Sequence, residues 1–171
     1  MNKILIIGAS GILGSKIQKH LPNASCPSHQ ELHITKKINY PKHEVVILCA
    51  AIKNKECIQN KLLGMKTNIK GVCNIAEYCQ KNNSKLVYIS TDYVFSGNKG
   101  DYKIDDELGP VNYYAETKLA GEIVVLNNSD DEKENIIEDF VSIITSFCAK
   151  IYGQRRSKRK TEKLIEELQN D

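Results

Sequence analysis

The first 22 residues constrain the fold more strongly than any other stretch of the chain. Lys3 to Ile7 is a short apolar run rich in β-branched residues, typical of a buried parallel strand. It is followed at once by the glycine-rich turn Gly8-Ala9-Ser10-Gly11-Ile12-Leu13-Gly14, and then by apolar residues at helical spacing as far as Pro22. A strand, a glycine-rich turn and a helix N-terminus together favour an anion site, because backbone N–H groups and the helix dipole attract a pyrophosphate. The alternative is a βα turn that binds no ligand.

Two later apolar runs predict strands of the same parallel sheet. Glu44 to Ala51 ends in small residues, which let a ligand lie close over the end of the strand. Lys85 to Ser90 leads into the segment Ser90-Thr91-Asp92-Tyr93-Val94-Phe95, at the edge where open α/β sheets bind ligands. Between them, apolar positions from Asn54 to Gln80 predict one long helix or two, with Gly64 as the interruption. The alternation predicts a Rossmann-like α/β fold with a doubly wound parallel sheet.

The strand expected after the first helix is poorly defined in the sequence. Ala24 to Ile34 would have to contain it, although Pro27 interrupts the run. Dinucleotide folds that use NAD often end this strand with an acidic residue, which binds the ribose 2′-hydroxyl. Here Ser28 and His29 occupy the candidate positions, with Glu31 nearby and two lysines further on. The expected cofactor is therefore NADP or NAD, with a lean toward NADP.

Tyr114 and Lys118 stand four residues apart in a stretch, Val111 to Glu122, that is typical of a helix. That spacing places a phenol and an ammonium on one helix face. A neighbouring cation lowers the pKa of a tyrosine, so that the hydroxyl can exchange a proton nearer neutral pH. A tyrosine in this position can protonate the oxygen of a carbonyl while hydride arrives at the carbon. The alternative is an ordinary solvated helix face.

Composition narrows the class of protein. A chain of 171 residues suits one domain, and 24 basic against 21 acidic side chains give a net charge of +3, too mild to predict nucleic-acid binding. The N-terminal apolar run is too short for a secretory signal, and no run is long enough to span a bilayer. Six cysteines without a Cys-x-x-Cys pair favour reduced thiols and a cytoplasmic protein. The four histidines show no metal-ligand spacing, so no metal is expected.

The composition changes after Leu126. We expect residues 1–126 to form the dinucleotide-binding domain and residues 127–171 to form a helical C-terminal extension. Ile136 to Phe147 fits an amphipathic helix, and a basic cluster follows at residues 154–160. We interpret that cluster as the solvated start of a last helix rather than as a nucleic-acid site, because no aromatic residues are interleaved with it.

The chain resembles the extended short-chain dehydrogenase/reductases in four segments that occur in order: Gly8 to Gly14, Cys49-Ala50-Ala51, Ser90 to Phe95, and Pro110 to Glu122. Within that family it is most similar to dTDP-4-dehydrorhamnose reductase and related sugar-nucleotide reductases, over residues 1–126. The resemblance implies an NAD(P)H-dependent oxidoreductase. Its reaction would be the reduction of a 4-keto-deoxysugar nucleotide, as in dTDP-rhamnose biosynthesis.

The resemblance also implies roles for single residues. Tyr114 would donate a proton to the sugar C4 oxygen, Lys118 would bind the nicotinamide ribose, and Thr91 would polarise the substrate carbonyl. Tyr93 would lie near the substrate, and Asn68 would be structural. The expected catalytic residues are Thr91, Tyr114 and Lys118, and the expected substrate-binding residues are Thr91 and Tyr93. The expected cofactor-binding residues are Gly8, Ser10, Gly11, Ile12, Leu13, Gly14, Ala50, Ala51, Tyr114 and Lys118.

One departure from the family concerns the C-terminal part of the sequence. Members have a further strand and a lobe that binds the nucleotide-sugar, and the sequence after Leu126 shows no convincing strand of that kind. Because remote binding energy positions the reacting centre, loss of the lobe should reduce turnover as well as affinity. The rival hypothesis is a non-catalytic dinucleotide-binding module or regulatory subunit that acts through a partner protein. An exposed sheet edge would favour a homodimer or a partner enzyme.

Overall fold

The computed structural model describes residues 3–103 and 106–128. They divide into two units: one takes in the residues up to Thr91 together with the segment from Asn112, and the other takes in residues 92–111. The amphipathic segment at 136–147 and the basic cluster at 154–160 lie outside the described residues, as does most of the expected 127–171 extension. The domain boundary at residue 126 stays a prediction.

Three parallel strands form the sheet of the first unit: β1 (Ile4–Ile7), β2 (Val45–Leu48) and β3 (Lys85–Tyr88). Their order is β1-β2-β3, and β2 pairs in parallel with both neighbours along its whole length. Successive residues of a strand point to opposite faces of the sheet, and Leu5 and Ile6 are both fully buried. Both faces are therefore covered, as an all-parallel sheet requires. The predicted Rossmann-like α/β class is confirmed.

The strand predicted within Ala24–Ile34 does not form. Of the described residues in that segment, Ser25 makes the bridge to the sheet: its N–H donates to Ile4 O and its carbonyl accepts from Ile6 N, each at 2.8 Å, on the edge of β1 away from β2. Pro27 follows two residues later and has no N–H with which to continue a ladder. The prediction of a second strand is wrong, but the single bridge keeps the doubly wound order. After β1, the chain first adds Ser25 at one edge of β1 and then adds β2 at the other edge.

The helices of the first unit connect and cover these strands. In chain order they are α1 (Ile12–His20), α2 (Asn54–Gln59), α3 (Lys61–Met65), a π-helical turn (Lys66–Lys70), α4 (Gly71–Asn82) and α5 (Tyr113–Asn127). The chain breaks at Asn60, whose side-chain oxygen accepts a hydrogen bond from Leu63 N at 3.0 Å and so begins α3. The interruption predicted at Gly64 is wrong, because Gly64 lies inside α3, where a Cβ would come 2.3 Å from Cys57 Sγ. Within the described part of the chain, no helix is long and apolar enough to cross a membrane.

The core of the first unit lies on one face of the sheet, beneath α4. Its buried members are Leu5, Ile7, Leu32, Ile34, Val46, Leu48, Val72, Ile75, Tyr78 and Cys79. Val124 and Val125 of α5 pack against the same cluster. This packing places α5 beside β3, so residues of that helix lie close to the residues that follow the strand.

The second unit is a loop closed by its own hydrogen bonds. It begins with a 3-10 turn (Asp92–Val94), and Phe95 pairs with Leu108 in an antiparallel bridge. The ring of Tyr102 stacks on Phe95 with centroids 4.9 Å apart. Tyr93, one of the two predicted substrate-binding residues, belongs to this unit and is 43% exposed.

Candidate active site

The glycine-rich turn lies where β1 passes into α1. Gly8 has φ of +89°, in the left-handed region that favours glycine, and a Cβ there would come 2.6 Å from Ala50 N. A Cβ on Gly14, in the first turn of α1, would come 2.2 Å from Gly8 O. The two glycines therefore let the turn pack closely against the helix and against the residues that follow β2. Ser25 pairs with one edge of β1, and β2 pairs with the other edge. The turn after β1 therefore lies at the topological switch point of the sheet.

The outer side of the turn is open. Ser10 and Gly11 are exposed, and Ile12, at the start of α1, is 65% exposed. Gly11 provides no side-chain cap, and the first turn of α1 contains no acidic residue. The first N–H groups of a helix have no acceptor within the helix. The turn is therefore an uncapped helix N-terminus with room above it, which fits a pyrophosphate.

The catalytic residues predicted on α5 are placed by the start of that helix. Asn112 is its N-cap, and its side-chain oxygen accepts a hydrogen bond from Ala115 N at 3.0 Å. The helix consequently begins at Tyr113, and Tyr114 and Lys118 lie one turn apart on the same face. Tyr114 is half-buried, whereas Lys118 is only 3% exposed.

Lys118 reaches from α5 to the end of β3. Its Nζ donates a hydrogen bond to Ile89 O at 2.5 Å and lies 4.0 Å from the centroid of the Tyr88 ring. Burial lowers the pKa of Lys118 to about 7, although the neighbouring Glu122 and Cys49 act to raise it. The charge of this lysine therefore changes near neutral pH.

Three consecutive residues at the end of β3 bind α5, and we call these interactions the β3–α5 contacts. Tyr88 Oη donates to the backbone carbonyl of Lys118 at 3.3 Å, and Ile89 O accepts from Lys118 Nζ. Ser90 Oγ donates to the carboxylate of Glu122. The sequence reasoning missed Ser90 and Glu122 as site residues. The four-residue spacing from Lys118 to Glu122 is the signal that could have found the second of them.

Gly121 makes room for the β3–α5 contacts. A Cβ at that position would come 2.3 Å from Tyr88 Oη and 3.1 Å from the backbone oxygen of Asn68. Thr91 is half-buried and directly follows the residues that bind α5. The predicted catalytic residues of the first unit therefore come from two adjacent elements, the chain after β3 and helix α5.

Asn68 supports this arrangement from the π-helical turn. Its side chain accepts from Ile52 N at 2.8 Å and donates to Ile52 O at 3.1 Å. It also donates to Thr117 Oγ1 at 3.0 Å, and Thr117 Oγ1 in turn donates to Tyr114 O at 2.7 Å. Asn68, at 1% exposure, thus joins the chain after β2 to the turn of α5 that contains Tyr114.

Comparison with known proteins identifies the family. The family described as RmlD substrate binding domain matches residues 1–137. The chain belongs to the RmlD substrate binding domain family. The predicted resemblance to extended short-chain dehydrogenase/reductases of the sugar-nucleotide type is confirmed.

Two curated relatives of similar identity have different names. A dTDP-4-dehydrorhamnose reductase of Mycolicibacterium smegmatis is 33% identical over 142 residues, covering 75% of this chain and 43% of that protein. A protein of Pongo abelii named methionine adenosyltransferase 2 subunit beta is 28% identical over 145 residues, covering 74% of this chain and 43% of that protein.

Solved structures of dTDP-4-dehydrorhamnose reductases have the same fold. The protein of Clostridium acetobutylicum is 38% identical with a TM-score of 0.68, covering 74% of this chain and 49% of that one. The protein of Bacillus anthracis, in complex with NADP, is 31% identical with a TM-score of 0.67, covering 74% and 50%. The chain thus spans about half the length of these relatives.

Proposed function

We propose that this chain performs NAD(P)H-dependent reduction of the 4-keto group of a deoxysugar nucleotide. The observation that supports this most strongly is the position of Lys118. Its Nζ binds the backbone oxygen of Ile89, two residues before Thr91, and it lies one helical turn from Tyr114. A hydroxyl, a phenol and a buried ammonium are the groups that a ketone reduction needs around the oxygen that receives the proton. The reductase names of the relatives support the same substrate class.

A nicotinamide dinucleotide fits the glycine-rich turn. The uncapped start of α1 would bind its pyrophosphate, and Ala50 and Ala51, half-buried after β2, would lie beside it. Gly8 already packs against Ala50, so the turn and the end of β2 form one surface. The reduced cofactor, when bound, supplies the hydride.

The hydrogen bonds around Ser28 support our proposal that NADPH is preferred over NADH. The carboxylate of Glu31 accepts a hydrogen bond from Ser28 N at 2.7 Å, and Glu31 N donates to Ser28 Oγ at 3.3 Å. The hydrogen bonds from Ser28 lower the pKa of Glu31, which stabilises the ionised carboxylate in this turn. Because the turn already uses this carboxylate, it is less available to bind a ribose 2′-hydroxyl. The Bacillus anthracis relative, in complex with NADP, supports the same preference.

The three catalytic residues would have distinct tasks in this reaction. Tyr114 would hold at its Oη the proton that passes to the sugar C4 oxygen, and Thr91 would donate a hydrogen bond to the same oxygen. Lys118 would bind the nicotinamide ribose and, when protonated, stabilise the phenolate that Tyr114 leaves behind. Because burial lowers the pKa of Lys118 to about 7, this stabilisation is strongest below neutral pH.

The test is a titration with NADPH and NADH, followed by addition of dTDP-4-dehydrorhamnose in the same cuvette. We expect loss of absorbance at the reduced-nicotinamide band. Tyr114→Phe should still bind the cofactor, through the glycine-rich turn, and lower turnover by roughly 10²–10⁴-fold, because it removes the proton donor. Tyr113→Phe is the matched control: it deletes the neighbouring phenol, which donates to Lys61 O at 3.1 Å, and should leave turnover unchanged. Turnover by Tyr114→Phe at the wild-type rate would contradict the proposal.

A second candidate function is a dinucleotide-binding module that acts through a partner protein without turnover. It is favoured by the 28% identity to a protein named methionine adenosyltransferase 2 subunit beta. Cofactor binding without loss of absorbance on addition of the sugar nucleotide would support this candidate. Failure to bind either cofactor would contradict both functions.

A further inference from the structure

Lys118 and Glu122 lie on successive turns of α5, and both side chains bind the end of β3. Lys118 Nζ donates to the backbone oxygen of Ile89 at 2.5 Å. Glu122 accepts from the hydroxyl of the next residue, Ser90. Two neighbouring residues of the strand end therefore bind one face of the helix. Thr91 is the next residue along the chain, so these bonds also restrict its backbone.

Few charges face Lys118 from the elements packed around it in the described part of the chain. Cys49 faces it from the end of β2, and burial raises the pKa of this thiol to about 11, so it is neutral at neutral pH. Tyr88 faces it from β3, and burial raises the pKa of this phenol too, so it is also neutral. Tyr114 and Glu122 lie one turn before and one turn after it on α5. Of these four groups around Lys118, Glu122 is the one with a carboxyl side chain.

Ser90 decides how well Glu122 can supply negative charge. Burial raises the pKa of Glu122, which favours the neutral acid, and the hydrogen bond from Ser90 and the charge of Lys118 oppose this effect. Without the Ser90 hydroxyl, the half-buried carboxyl group would lose a donor that stabilises its ionised form. Ser90 and Lys118 therefore both stabilise the ionised form of Glu122.

We propose that Glu122, held by Ser90, is a positioning residue that binds α5 to the chain segment where Lys118 is held and acts electrostatically as the counter-charge of Lys118. Its catalytic meaning rests on the proposed function, since Lys118 matters to a ketone reduction only if the chain performs one. The electrostatic coupling of Glu122 to Lys118 does not depend on turnover. It can be measured on the protein without substrate.

The experiment follows the titration of Lys118 by NMR in protein labelled with ¹³C at the lysine Cε, across about pH 5 to 10. Loss of one resonance in Lys118→Met assigns the signal. Glu122→Gln keeps an oxygen that can accept from Ser90 but removes the charge, and we expect it to move the Lys118 midpoint down by about one pH unit. Glu116→Gln, which removes the same charge from an exposed position on α5, is the matched control and should leave the midpoint within about a few tenths of a unit.

Ser90→Ala is the second variant, and it decides the question if Glu122→Gln does not fold. It should move the Lys118 midpoint in the same direction, because the carboxyl group loses its donor. A merely structural role for Glu122 predicts lower thermal stability with an unchanged Lys118 midpoint, and that result would overturn the inference. An equal shift in Glu122→Gln and Glu116→Gln would also overturn it, since the effect would then be a general one of net charge.

The outcome is separable from that of the proposed function. If Glu122→Gln shifts the Lys118 midpoint and the wild type does not oxidise NADPH, the reductase proposal fails and the coupling of Glu122 to Lys118 stands. If the wild type oxidises NADPH and neither Glu122→Gln nor Ser90→Ala shifts the midpoint, the inference fails alone. In an active enzyme, Glu122→Gln should also move the alkaline limb of the kcat profile to lower pH by the same amount.

Discussion

Replacing Lys118 by methionine should change how the stability of the protein depends on pH. The methionine has a similar length and no charge, so the substitution removes a titrating group from a site that is only 3% exposed. It also removes the hydrogen bond to Ile89 O, which should cost about 1–3 kcal/mol at every pH because a carbonyl loses its partner. Because that loss is the same at every pH, the pH dependence of the free energy of unfolding reports the effect of the Lys118 charge separately.

The magnitude follows from the two pKa values of Lys118. The pKa is about 7 in the folded protein, against about 10.4 for an unperturbed lysine. Between these values the unfolded chain binds more protons than the folded one, so the free energy of unfolding rises with pH. This contribution to stability is fully present above the pKa that Lys118 has in the unfolded chain. It is lost as pH falls through the pKa that Lys118 has in the folded protein. From pH 7 to pH 9 it amounts to about 2 kcal/mol.

The assay is urea unfolding of the wild type and Lys118→Met at pH 7, 8 and 9. We expect the free energy of unfolding of the wild type to gain about 2 kcal/mol more over this interval than that of the variant. Other groups that titrate there, such as Cys49, are present in both proteins and largely cancel in the difference. Lys70→Met, at an exposed position in the π-helical turn, is the control and should follow the wild type. Parallel curves for the wild type and Lys118→Met would refute the reasoning.

Two further predictions concern Gly121 and the pH dependence of turnover. Gly121→Ala should lower the free energy of unfolding by roughly 1–3 kcal/mol, because the new methyl group would lie 2.3 Å from Tyr88 Oη. Adding Tyr88→Phe should recover part of that loss in thermal unfolding, and no recovery would show that the hydroxyl is not the obstacle. The kcat for NADPH oxidation should fall as pH rises through about 7, where Lys118 loses its proton. A kcat that is constant from about pH 6 to 9 would contradict this assignment.

Local patterns predicted the three strands of the sheet correctly. Runs such as Val45–Leu48 are apolar at every position because both sheet faces are covered, and this is visible in the sequence. The Tyr114–Lys118 spacing likewise follows from helix geometry alone. Ser25 shows the limit of such patterns: a single bridging residue gives no apolar run, and its pairing depends on β1.

The immediate surroundings of Lys118 could not be predicted in the same way. Its hydrogen bond to Ile89 joins residues 29 positions apart, and the bond between Ser90 and Glu122 joins residues 32 positions apart. Both require α5 to be packed against β3. The lowered pKa of Lys118 arises chiefly from that burial, so it belongs to the tertiary structure and has no sequence signature.

The parallel pairing of the strands has a consequence for how the protein folds. Each pairing, Ile4 with Val45 and Val45 with Lys85, joins residues about 40 positions apart, so no part of the sheet can start as a hairpin. Closing a chain of that length costs about 3 kcal/mol in the length-dependent term alone. Contacts of this kind slow folding, and the helices between the strands can form sooner. Because Gly8 packs against Ala50 only after β1 and β2 have paired, the glycine-rich turn should reach its final shape late in refolding.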